Sequence, residues 1–164
     1  MINYFLRGES KLKTGDNQIA LNRKALHDYF IVESIEAGIE LLGTEVKSIR
    51  LGGVNLKDAW ISIDDGEAFI KGMHISPYEK GNIFNRDPRR VRRLLMHKKE
   101  ILRLFGEVKQ QGLTLIPISL YYKGSNVKVQ VGICKGKKLY DKRADIAKRE
   151  ADRNIRRAVK EQNR

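Results

Sequence analysis

Residues 29–71 constrain the fold more than any other stretch, and their centre is Gly43-Thr44-Glu45-Val46-Lys47-Ser48-Ile49-Arg50. The pattern reads as strand, one short helix, strand, turn, strand. Tyr29-Phe30-Ile31-Val32 is aromatic and β-branched, which suits a pleated, half-buried surface. Thr44 can cap a helix in which Val46 and Ile49 share one face while Lys47 and Arg50 point to water. Gly52-Gly53 stops that helix. From Leu56 to Ser62 polar and apolar residues alternate at a loose period of two, Asp64-Asp65-Gly66-Glu67 is a turn, and Ala68-Phe69-Ile70-Lys71 returns. Strands curling round a small core, with a helix plugging one end, predict a mainly β fold with accessory α-helices, a small barrel.

The flanks extend this pattern. Ile19-Ala20-Leu21-Asn22-Arg23-Lys24-Ala25-Leu26-His27 mixes apolar anchors with cations, and fits a short helix or edge segment with a solvated side as well as an RNA-contacting edge. Residues 34–42 complete a hairpin or a sharply bent strand, with Gly38 at the bend. Asp87-Pro88 predicts a helix start running through Arg89, Arg90, Arg92 and Arg93 to Leu94-Leu95, broken at Met96-His97. A second helix carries Ile101, Phe105 and Val108 on one face and ends at Gly112. Residues 113–122 and 127–133 are strands joined by Gly124-Ser125-Asn126. In the second of them Lys128, Gln130 and Gly132 are expected on a polar, solvent-facing side.

Composition divides the chain into three parts. Residues 1–18 are polar and predict a flexible N-terminal arm; residues 19–135 form the body; residues 136–164 form a basic tail. In the tail, Ala144, Ala147, Ala151, Ile155 and Ala158 make a helical stripe of mostly methyl groups. Each methyl buries about 0.8 kcal/mol at best, against an ordering cost of about 1–2 kcal/mol per residue. The tail is therefore expected to be largely disordered alone and helical when its arginines meet phosphates. Thirty-three Lys and Arg against twenty Asp and Glu give a formal charge of +13, which calls for a polyanion. Nucleic acid is the first candidate. No apolar run approaches the roughly 18 residues of a spanning helix, and neither terminus carries a secretion or lipidation signal. A cytoplasmic protein is expected, with no membrane partner. One cysteine, Cys134, has no partner for an internal disulfide and reads as a small buried hydrophobe.

The residues give little support to catalysis. His27, His74 and His97 lack metal-ligand spacing, Cys134 lies in no nucleophile motif, and Gly52-Gly53 lacks the flanks of a phosphate loop. No catalytic residue, metal, cofactor or small-molecule substrate is expected. Binding is better supported: Lys137, Lys138, Tyr140, Lys142 and Arg143 interleave cations with an aromatic ring, as contacts to unpaired RNA require. A constitutive rRNA-binding protein and a Mg²⁺-dependent RNA-processing enzyme are the alternatives.

Seven strings resemble, in order, the SmpB (SsrA-binding protein) family of bacterial tmRNA-binding proteins. They are Ile19-Ala20-Leu21-Asn22-Arg23-Lys24-Ala25, Glu36-Ala37-Gly38, Gly43-Thr44-Glu45-Val46-Lys47-Ser48-Ile49-Arg50, Asp65-Gly66-Glu67-Ala68-Phe69, His74-Ile75-Ser76-Pro77-Tyr78, Leu94-Leu95-Met96-His97-Lys98, and Lys135-Gly136-Lys137-Lys138-Leu139-Tyr140-Asp141-Lys142-Arg143. The resemblance implies an OB-fold-like β-barrel. It implies a non-enzymatic, monomeric protein that binds the tRNA-like domain of tmRNA and brings it to stalled ribosomes for trans-translation. Asn22, Lys24, His27, Glu36, Leu95, His97 and Lys128 would then lie on or beside the tmRNA surface. Gly136, Lys137, Lys138, Tyr140, Asp141, Lys142 and Arg143 would meet small-subunit rRNA at the decoding centre, with Lys148, Arg149 and Arg153 following into the empty message channel. Some members carry asparagine where His97 stands and histidine where Tyr140 stands; either ring at the latter position can stack on a base.

Overall fold

A computed structural model describes residues 17–162. The chain runs through β1 (Gln18–Leu21), α1 (Arg23–Asp28), β2 (Tyr29–Ile39), α2 (Gly43–Arg50), β3 (Val54–Asn55), β4 (Trp60–Asp64), β5 (Glu67–Lys71), β6 (His74–Ile75), β7 (Arg92–Leu95), α3 (Lys98–Gln111), β8 (Thr114–Lys123), β9 (Asn126–Gly136) and α4 (Leu139–Gln162). The strands pair antiparallel in the order β1-β8-β4-β5-β7-β2-β9, and β8 also pairs with β9. Six strands thus close into a ring, with β1 added outside on β8; β3 and β6 form a separate small ribbon. Closure removes the unpaired edges that an open sheet of these strands would leave. The arm expected at residues 1–18 lies outside the described residues up to residue 16, and Gln18 already pairs with Tyr121.

The fold is mainly β with accessory helices, as the alternation predicts. The ring is filled by Ile61, Ile70, Leu94, Leu120, Val129, Val131 and Ile133, with Ile49 of α2 and Leu104 of α3 packed against them. The 65–66 turn has φ of 52° and 74° at its two central residues, the geometry that twists a two-residue hairpin correctly. Gly112 ends α3 at φ 63°.

Five local expectations are corrected. First, residues 34–42 do not form a hairpin. β2 is one bent strand, and its irregularity falls between Ile31 and Glu33 rather than at Gly38. Second, Thr44 is not the cap of α2. Glu45 reaches back to the Leu42 N–H at 2.9 Å, while Thr44 Oγ1 donates to the Phe84 carbonyl. Third, Asp87-Pro88 opens a turn, with the Arg89 N–H on Asp87 Oδ1 at 2.8 Å, and the arginines run into strand β7. An Asx turn competes locally with helix initiation, and pairing with β5 decides the outcome. Fourth, Gln130 and Gly132 do not face water, because β8 and β9 pair closely and Ile118 covers Gly132. A Cβ at 132 would lie 2.6 Å from Ile118 Cγ1 and 3.0 Å from Cys134 Sγ. Gly132→Val is expected to cost about 1–3 kcal/mol by overpacking, readable as a lower urea midpoint at unchanged slope. Fifth, residues 139–162 form an unbroken helix in the protein alone. Ala, Lys, Arg and Glu favour helix intrinsically. Asp145–Arg149, Lys148–Asp152, Asp152–Arg156 and Arg157–Glu161 also stand at i, i+4 spacing. None of its residues is buried, so the methyl stripe docks on nothing.

A buried ionic cluster ties α2 to β7. Arg92 is fully buried; its guanidinium donates to Glu45 Oε1 and to the carbonyls of Met73, Arg90 and Pro88, and its Nη2 lies 2.7 Å from the same Oε1 as an ion pair. Arg90 clamps the same carboxylate, Nε to Oε1 at 2.8 Å and Nη2 to Oε2 at 2.6 Å. Burial pushes the Glu45 carboxyl up, but Arg90, the Leu42 N–H and Arg92 outweigh it and hold it below the ordinary 4.5.

Candidate nucleic-acid interface

Four of the seven residues expected at the tmRNA surface come together in one groove. In register, Leu95 of β7 lies beside Gly38 of β2, and Gly38 lies beside Lys128 of β9. The three form a row across neighbouring strands. Gly38 makes the trough, since a Cβ there would meet Leu95 Cβ at 3.1 Å. Glu36, two residues earlier on the same face of β2, and His97, at the cap of α3, complete a groove of about 550 Å³. Leu95 is half exposed in it. The Glu36 carboxylate accepts from Tyr121 Oη and from Lys123 Nζ, the latter at 2.7 Å. Burial, with the Glu36 hydrogen bond, pushes the Tyr121 phenol up, so it stays a donor that fixes the carboxylate. A fixed carboxylate can accept from a base amino group, an apolar side chain can pack on a base, and a lysine can take a phosphate.

The other three residues lie on or at α1. Asn22 is buried and caps that helix: its Oδ1 accepts from the Ala25 N–H at 3.0 Å, and its Nδ2 donates to the Leu56 and Pro117 carbonyls. It thereby fixes the start of the helix that carries Lys24 and His27. Lys24 pairs with Asp58 at 3.1 Å, beside the half-exposed Trp60. His27 Nδ1 meets Asp28 Oδ1 at 2.9 Å.

The root of the tail is seated on the body. Gly136 closes β9 opposite Tyr29, and the Lys137 N–H donates to the Asp28 carbonyl. The Lys137 side chain is almost wholly covered. It pairs with Asp145, donates to the Leu26 carbonyl and lies 4.9 Å from the Phe30 ring centre. Lys142 Nζ meets Asp28 Oδ1 at 3.1 Å. Hydrogen bonds from His27 and Lys142 hold the Asp28 carboxyl below its ordinary value, and Lys137 does the same for Asp145. Asp141 accepts from the Lys138 N–H and so closes the first turn of α4. Tyr140, Lys138, Arg143, Lys148, Arg149 and Arg153 are exposed. Of the residues expected at a decoding centre, then, Lys137, Asp141 and Lys142 orient the helix, and the others face outward. Asp28, Phe30 and Asp145, which make the seat, had no local signal in the sequence, because their contacts cross between α1, β2 and α4.

Cys134 is buried, and burial pushes its thiol up to about 12, so it is an inert core group. Among the described residues, no three or more His, Cys, Asp or Glu side chains are placed to hold a metal ion, and no helix is long and apolar enough to cross a membrane.

Comparison with known proteins places these features in a wider set. The family model described as SmpB protein matches residues 19–161. An SsrA-binding protein of Acetivibrio thermocellus is 62% identical over 143 residues, 87% of this chain and 93% of that protein. One from Clostridium kluyveri is 59% identical over 155 residues, 94% of this chain and 99% of the relative. A chain in a solved structure described as "tmRNA-SmpB: a journey to the center of the bacterial ribosome" superposes with a TM-score of 0.63 at 48% identity, covering 74% of this chain and 86% of that one.

Proposed function

The chain belongs to the SmpB family, and on that premise we propose that it is the RNA-binding protein that carries tmRNA to stalled ribosomes in trans-translation. It is a binding protein and not an enzyme. Its partners are tmRNA and the ribosome, and it works in the cytoplasm. In this reading the ring of strands grips the tRNA-like domain, and α4 reaches the decoding centre and the empty message channel. The observation that carries the reading is the row Leu95, Gly38, Lys128, flanked by Glu36 and His97. Three separate stretches of sequence meet there to offer an acceptor, an apolar pad and a cation. Lys24 and His27, on the α1 that Asn22 fixes, form a second polar surface apart from the groove.

The test is a gel shift of intact labelled tmRNA at a stated salt concentration with tRNA as competitor, since phosphate contacts make affinity salt-dependent. A selective shift is expected. Equal competition by tRNA, or cleavage of the RNA, would overturn the reading. Glu36→Gln keeps the shape and removes the charge; it is expected to weaken tmRNA binding about tenfold, the order of one lost base contact. Lys128→Ala should weaken binding of tmRNA and competitor alike and flatten the salt dependence by about one phosphate contact.

A further inference from the structure

The connection between β6 and β7 folds into an internally hydrogen-bonded loop that shows apolar side chains to water. The Asn85 amide bridges Tyr78 in both directions: Nδ2 donates to the Tyr78 carbonyl at 2.8 Å, and Oδ1 accepts from the Tyr78 N–H at 3.1 Å. Gly81 sits against that amide, where a Cβ would be 2.6 Å from Oδ1. Thr44 ties the loop to α2 through the Phe84 carbonyl. Despite this order, Ile83 is 85% and Phe84 70% exposed. Loop residues held in place by internal bonds while presenting large apolar groups are built for contact.

The surroundings identify the contact. The recess beside Phe84, about 420 Å³, is lined also by Lys47, Lys80, Arg86 and Tyr78, and no carboxylate lines it. Lys47 Nζ already lies 5.4 Å from the Tyr78 ring centre. A purely apolar protein segment would strip water from three cations without compensation. Unpaired RNA supplies both halves of the complement, a phosphate for each cation and a flat base for the exposed ring. No residue lining this recess also lines the groove between β7, β2 and β9.

We propose that this recess is a second RNA-binding surface, which takes unpaired nucleotides with a base against Phe84 and phosphates on Lys47, Lys80 and Arg86. It rests on the RNA-binding reading above but requires a strand other than the one in the groove. The test uses the full chain with a short single-stranded oligoribonucleotide containing 4-thiouridine, photocrosslinked and mapped by mass spectrometry, in parallel with the tmRNA gel shift. Crosslinks are expected within residues 78–86. Phe84→Ala should lower their yield about tenfold, the order of one lost stack, and Phe84→Tyr should restore it. Lys80→Gln with Arg86→Gln should lower it similarly, while the tmRNA shift of all these variants stays unchanged. Crosslinks confined to α4 or the groove, or a yield indifferent to Phe84, would overturn the proposal. So would displacement of the oligoribonucleotide from the loop by anionic phospholipid vesicles through Phe84-dependent binding, which would make the surface a membrane contact. Failure of the wild-type chain to shift tmRNA would instead overturn the functional reading and leave the crosslink result standing.

Discussion

Ending the chain at Lys138 is expected to abolish rescue of stalled ribosomes while leaving tmRNA affinity within about threefold of the full chain, because the groove's phosphate and base contacts stay in place. The place of the cut follows from the structure. β9 continues to Gly136, and its last residues pair with Tyr29, Phe30 and Ile31. A cut after Ile133 would remove these pairs and damage the ring. A cut after Lys138 removes α4, in which no residue is buried. The lost ties to the body are the Lys137–Asp145 and Lys142–Asp28 pairs. The Lys142–Asp28 pair is partly exposed and worth about 0–1 kcal/mol. The covered Lys137 loses its carboxylate but keeps the Leu26 carbonyl and the Phe30 ring, so the body should stay folded and melt somewhat lower than before. The tail carries its cations outward on a helix already formed, which lowers the ordering cost of entering a channel of rRNA phosphates. Peptidyl transfer to charged tmRNA on ribosomes with truncated messages reads this step, and a gel shift reads the other. Equal losses in both assays would contradict the separation of grip from tail.

Glu45→Ala is expected to destabilise the fold by about 3–5 kcal/mol, since removing one partner leaves buried Arg92 uncompensated. For a chain of this size that lowers Tm by roughly 10 °C or more, measured by circular dichroism. Arg92 sits on β7 three residues before Leu95, so the cluster also sets where the groove's apolar pad stands. Glu45→Leu combined with Arg92→Met should recover only part of the loss, because it removes the uncompensated charge but leaves the Met73, Arg90 and Pro88 carbonyls without their donor. A Glu45→Ala loss under about 1 kcal/mol would show the cluster to be incidental. The pH dependence has a fixed sign. The Glu45 carboxyl is held below 4.5 in the folded state. Its contribution is therefore complete above that value and is lost as pH falls through the lower, folded one. Glu45→Gln should flatten this acid limb of the stability curve.

Glu45 also shows where reading the sequence stops. It stands in a helix whose apolar face was legible from Val46 and Ile49, and nothing local distinguishes it from a solvated acid. Only pairing of β7 with β5 and β2 brings Arg92 within reach, forty-seven residues away. The same holds for the arginines after Asp87-Pro88. Their order looks helical, and the strand wins because Arg92 gains four partners in the interior, Glu45 and three carbonyls. Lys128, Gln130 and Gly132 alternate as a solvent face would, yet the closed ring buries the latter two and leaves Lys128 at the groove.

What the sequence determined by itself was local and statistical: the alternation that makes strands, the turn at Asp65-Gly66, the cap at Gly112, the excess of thirteen positive charges and the ordered strings of the SmpB family. These depend on residues a few positions apart, or on sums that ignore position. The tertiary structure decided which side chains share a surface. It turned Asn22 inward and Lys137 into an anchor, gathered Glu36, Leu95, His97 and Lys128, and left Phe84 standing among cations. The physical reason is closure: once six strands form a ring, every residue lies inside or outside it, and only the pairing register assigns the side.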